Sequence, residues 1–116
     1  MALPLSNRVN RLLATLIDES IRSRLADRLQ VEAANNIPFH DKSKTKDMDR
    51  IRFSIIKLVH EEPNAEDEAF ELAKVDWRDL FMAAGFAYDA DEYEKWYLRV
   101  TGDDDSKPKQ PWWRFW

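Results

Sequence analysis

Four large aromatic side chains, Trp112, Trp113, Phe115 and Trp116, stand within five residues, with Arg114 among them. Each such ring can bury roughly 150–250 Å², and Trp and Arg are favoured anchors of protein interfaces. The chemistry on offer is binding rather than bond-making, so Trp112, Trp113, Arg114, Phe115 and Trp116 form the candidate partner-binding segment. Residues 103–111 lead into it with three aspartates, two lysines and two prolines, a composition that reads as a tail leaving a folded body. Three destinations are open for the rings. They close over a groove between the chain's own helices, dock on a partner protein or a neighbouring copy, or lie on a membrane surface with Lys107, Lys109 and Arg114 at the headgroups. Asp103, Asp104 and Asp105 oppose the last of these at an anionic surface.

Residue types for covalent, proton-transfer or metal chemistry are sparse. Cysteine is absent, which removes disulfides, thiolate nucleophiles and cysteine-ligated zinc, and fits a reducing compartment, so a cytoplasmic location is expected. The two histidines lack a sequence-evident partner: His40 falls in a polar loop, and His60 near a helix C-terminus, where a protonated ring suits the helix dipole. Two glycines, Gly85 and Gly102, are too few for a phosphate-binding loop or most nucleophile turns. Asp103 to Asp105, and Asp89, Asp91 and Glu92, carry oxygen ligands suited to hard cations, but neither spacing fits a calcium loop. They read as a solvated turn and a helix start. No catalytic residue, metal ligand or cofactor is assigned.

The sequence carries 18 Lys and Arg against 22 Asp and Glu, a net charge of −4 and an isoelectric point near 5.2. This is the wrong sign for a generic nucleic-acid binder. Arg22, Lys44, Lys46, Arg50 and Arg52 would carry such binding locally, yet Asp18, Glu19, Asp27, Asp41, Asp47 and Asp49 are interleaved with the basic residues. Trp77 offers a ligand platform, but with Leu80 and Phe81 it has the spacing of a core face; Trp96 reads the same way.

The elements that must position these groups are helical. From Ser6 the apolar residues Val9, Leu12, Leu13, Leu16 and Ile17 fall on one helical face. Ile21, Leu25 and Leu29 continue in steps of four, so the buried face drifts. The expectation is one long first helix ending by Asn35 and Asn36, bent near Ser20 to Ser23 or touching different neighbours at its ends. A loop follows over residues 37–46, around Pro38. A second helix over 47–61 presents Met48, Ile51, Ile55, Leu58 and Val59, widened by Phe53 and Ile56, an arc broad enough for the centre of the core. Cap signals at Asn64, Asp76 and Asp89 start three short helices, the second closed by Gly85, the third carrying Tyr93, Trp96, Tyr97 and Val100 and ending at Gly102.

The expected fold is all-α: a compact single-domain bundle of about five helices over residues 1–102, with an aromatic C-terminal tail over 103–116. The longest apolar runs are only a few residues, so neither signal peptide nor membrane span is expected. The expected function is a non-enzymatic protein-interaction or regulatory domain. The alternatives are a nucleic-acid-associated regulator and an enzyme whose site forms only in the fold.

Overall fold

The computed structural model of the chain describes residues 4–33, 45–87 and 92–102. Among them are six α-helices and a short 3-10 turn, with no strand: α1 (Asn7–Leu16), α2 (Glu19–Glu32), α3 (Thr45–Glu61), the turn Pro63–Ala65, α4 (Glu66–Val75), α5 (Trp77–Ala84) and α6 (Glu92–Thr101). The fold is the expected all-α single domain. The extra helix arises because the expected long first helix is two.

The break falls at Ile17 and Asp18, ahead of the expected bend. Ile17 takes an extended conformation, and the Asp18 carboxylate accepts from Ser20 N at 2.9 Å, starting α2 as an N-cap. A break frees the last carbonyls of α1, and these need donors. Arg22 supplies them, its Nε donating to Leu13 O at 3.0 Å and its Nη2 to Ile17 O at 2.9 Å. His60 adds Nδ1–H to Leu16 O at 3.2 Å. The drift in the apolar row is thus the trace of two separate faces, Val9, Leu12 and Leu13 on α1 and Leu25 and Leu29 on α2.

Helix α3 is the centre, as its wide apolar arc requires. Met48, Ile51, Phe53, Ile55, Ile56 and Val59 are all buried, and α1, α4, α5 and α6 pack around it. Phe53 organises the α6 side: Tyr97 stacks on it at 5.3 Å, and Tyr93 and Trp96 meet it edge-on at 5.4 and 6.3 Å. Arg8 pins α1 to α6, lying 5.2 Å over the Tyr97 ring and 3.2 Å from Glu94.

The same helix carries a buried cation. Arg52 is 1% exposed and donates from Nε to Ala33 O and from Nη1 to Pro4 O, both at 3.0 Å. It therefore clamps the end of α2 and the segment before α1 onto the core. Burial pulls its pKa down to about 10, with the nearby Asp49 charge opposing the fall. Asp49 is itself buried and accepts from the Ser6 hydroxyl at 2.8 Å, while that oxygen caps α1 by accepting from Val9 N.

Helix α2 lies beside α1 and reaches α4 through long side chains. Arg28 donates to Glu32 at 2.6 Å and to Glu66 and Asp67 at 2.7 Å, with its guanidinium 4.1 Å over Phe70. Arg24 and Lys74 complete the network on Glu66 and Glu32, each at 2.7 Å. The α4 start differs from the expected Asn64 cap. Ala65 holds the N-cap position without a side-chain bond, and Glu62 accepts from Asn64 N at 3.3 Å within the 3-10 turn. Pro63 suits that turn's first position, and Glu66 is drawn inward by the two arginines.

The later cap signals are as read. Asp76 accepts from Arg78 N at 3.0 Å, and Gly85 takes a left-handed φ of 83° while Phe86 N bonds back to Phe81 O at 2.8 Å. That is a Schellman ending, open chiefly to glycine. Gly102 likewise has φ 75° after α6. The Asp89 signal lies outside the described residues.

Two stability predictions follow from the polar ties. Arg52→Met leaves the Pro4 and Ala33 carbonyls without this donor and the buried Asp49 without the nearby positive charge, so urea unfolding should show a loss of about 3 kcal/mol. Hydrogen bonds from Arg28, aided by Lys74, hold the Glu32 carboxyl at about 2 instead of the ordinary 4.5. Its contribution is full above about 4.5 and lost as pH falls through about 2. Stability measured across that acid window should fall more steeply in wild type than in Glu32→Gln.

Candidate interaction groove

Helix α5 begins abruptly because Asp76 caps it, and this puts Trp77 at its open N-terminal edge rather than inside the bundle. One turn on, Phe81 turns into the core, and the two rings meet at 5.2 Å. From α3, Arg50 passes its guanidinium 4.1 Å over the other residue of that pair, Phe81, and donates from Nη2 to the Phe86 carbonyl just beyond the Gly85 turn. The Phe86 ring is buried, 5.6 Å from Trp96. Between these elements opens a cavity of about 320 Å³ lined by Arg50, Trp77, Arg78, Phe81, Met82 and Ala87. Met82 stands at its rim, 63% exposed.

Two donors in this wall have no acceptor among the described residues. Arg50 Nε and Trp77 Nε1 are both buried atoms without a hydrogen-bond partner. A buried donor left unsatisfied costs roughly 1–3 kcal/mol, so such groups in a native fold call for an explanation, and with almost no accessible area neither atom meets a groove ligand unless its side chain moves. Arg78 is already paired: its Nε and Nη2 reach the two Asp76 oxygens at 3.0 and 2.9 Å. Those bonds hold the Asp76 carboxyl below its usual range. The groove thus combines aromatic and thioether surface with the flanking guanidiniums of Arg50 and Arg78. Among the described residues its lining is Arg50, Trp77, Arg78, Phe81, Met82 and Ala87, without a carboxylate, histidine or hydroxyl. It suits a ligand that brings an apolar or aromatic side chain.

A second cavity, about 390 Å³ between α2 and the α4 start, is lined by Arg24, Arg28, Pro63, Asn64, Glu66 and Asp67. Its arginines and carboxylates are bonded to one another, so its polar groups serve the α2–α4 link. Among the described residues, no three His, Asp or Glu side chains gather as a metal site would require, and no helix is long and apolar enough to cross a membrane.

The residues singled out in the sequence fare differently. Trp112, Trp113, Arg114, Phe115 and Trp116 lie outside the described residues, as do His40 and Lys44 and the side chain of Lys46. Of the basic set, Arg22, Arg50 and Arg52 do not form one outward patch; each turns its guanidinium onto backbone carbonyls. Trp96 is buried, as its spacing predicts, and Trp77 is half-buried, packed against the core with part of its side chain on the groove wall. Met82 and Ala87 were not legible as site residues. The usable signal was Asp76 beside Trp77, since a cap fixes an aromatic at a helix edge.

Compared with known proteins, the chain matches no family model, no curated protein and no solved structure.

If the groove is built for a ligand, its wall should tolerate change. Met82→Asp alters an exposed side chain and should shift stability by no more than about 0.5 kcal/mol. Trp77→Phe removes one unsatisfied donor and some apolar area, effects of opposite sign, so urea unfolding should place it within about 1 kcal/mol of wild type. A loss well beyond that would make Trp77 a core support and remove the groove's functional reading.

Proposed function

We propose that the chain is a non-enzymatic protein-interaction domain, acting in the cytoplasm, whose receiving surface is the groove between α3 and α5. The observation that carries this reading is the groove itself, an apolar cavity walled by Trp77, Phe81 and Met82 with the Arg50 and Arg78 side chains beside it. Interface hot spots are enriched in Trp and Arg and sit where water is excluded. Met82 adds an adaptable, polarizable rim that accommodates varied side chains. The aromatic segment 112–116 is the second binding element, its rings carried on a polar, proline-containing leader. The nucleic-acid alternative has less support, because Arg22, Arg50 and Arg52 have their donors directed at backbone carbonyls, where phosphates would have to compete with them.

The test is affinity capture from native-host lysate with the intact chain, with Met82→Asp, and with Val31→Asp as a control at another exposed apolar side chain. Nuclease and high salt are included. A protein partner retained by wild type and Val31→Asp, but weakened about tenfold or more by Met82→Asp, is the expected result, equivalent to about 1.4 kcal/mol. Equal recovery by all three would remove the groove from the binding surface.

A further inference from the structure

The groove needs an occupant, and the same chain carries one of matching chemistry. Resting on the interaction reading above, we infer that the groove is filled by the chain's own aromatic segment, Trp112 to Trp116, in an intramolecular contact that a partner must displace.

The match is chemical first. A peptide in extended conformation lays its side chains along a groove, where pockets for them give specificity. Its indole and phenyl rings find Trp77, Phe81 and the Met82 thioether on the groove wall, surfaces that favour aromatic and sulfur–aromatic contact. Arg78 adds a guanidinium whose charge Asp76 already balances, leaving its flat face for a ring.

The geometry allows it by an upper bound on the path. Ala87, on the groove, is five links from Glu92, at most roughly 18 Å, and α6 adds roughly 15 Å, so Gly102 lies within about 33 Å of Ala87. Ten links join Gly102 to Trp112 and extend to roughly 36 Å, enough to cover that straight-line distance when fully extended. Pro108 and Pro111 favour an extended leader, which limits the entropy lost on docking. A short tether also gives the segment a high effective concentration at its own groove, which favours the intramolecular contact over a second copy in dilute solution.

The absence of cysteine makes the test clean, since one introduced thiol takes one spin label. Full-length Gln110→Cys carrying a nitroxide is compared with its reduced form by isotope-resolved NMR at low protein concentration, α3 amide shifts confirming the fold. Loss of the Trp77 indole, Met82 methyl and Ala87 amide signals, with those of Arg24 and Asp67 retained, is expected. Adding Met82→Asp should restore the Trp77 indole and Ala87 amide signals. Unaffected groove signals, or losses confined to another face, overturn the inference. So does signal loss that appears only when the spin-labelled chain is mixed with an isotope-labelled copy lacking the label, for the occupant is then a second molecule. If Met82→Asp abolishes partner capture while the spin label leaves the groove untouched, the tail contact fails and the interaction reading stands. If neither effect is seen, both fail.

Discussion

Guanidinium groups hold this chain's backbone where its helices stop. Helix ends leave carbonyls without partners, and those that cannot reach water need a donor from elsewhere. Arg22 supplies it to Ile17 at the α1–α2 break and adds a second bond to Leu13, Arg52 supplies Ala33 and Pro4, and Arg50 supplies Phe86 after the Gly85 turn. Arginine suits the task because its planar fork serves two acceptors at once and stays charged even when burial lowers its pKa. With those ties in place, the segment before α1, the end of α2 and the turn after α5 are each fixed relative to α3.

That arrangement explains why α3 is both the apolar centre and the polar one. Phe53 gathers Tyr93, Trp96 and Tyr97 on one side, while Arg52 on the next residue back reaches the chain ends across the core. Two residues earlier, Arg50 faces the α5 side. Residues two apart on a helix point about 200° apart, so a single helix sends one arginine into the clamp and the other to the groove. Only the latter leaves its Nε buried and without an acceptor among the described residues. The groove is therefore a by-product of the same device that organises the fold, with one donor left over.

Much of the architecture was legible in the residues. The three-and-four spacing of α3, the Asp76 cap and the Gly85 ending each reflect local backbone physics, which sequence carries directly. The α1–α2 break was legible only as a drift of the apolar face, because its position depends on Asp18 capping and on Arg22 meeting the freed carbonyls. The Asn64 cap was read wrongly since Pro63 and Glu62 form a competing turn and Glu66 answers to arginines 38 and 42 residues away. The direction of a guanidinium is a tertiary property. Arg50 and Arg52 look alike in sequence, and which carbonyl lies across from each is decided by the packed fold. The groove was hidden for the same reason, being assembled from α3, α5 and the turn after it.

The arginine ties are most directly tested by the exchange rates of individual arginine Nε–H protons with solvent, measured by NMR across the chain at low and high salt. Bonds to backbone carbonyls should slow exchange at Arg22 and Arg52 well below that of the exposed Arg99, with little change as salt is raised. Exchange at Arg22 and Arg52 as fast as at Arg99 would contradict it, and the backbone would then have to be held at its helix breaks by something other than these side chains.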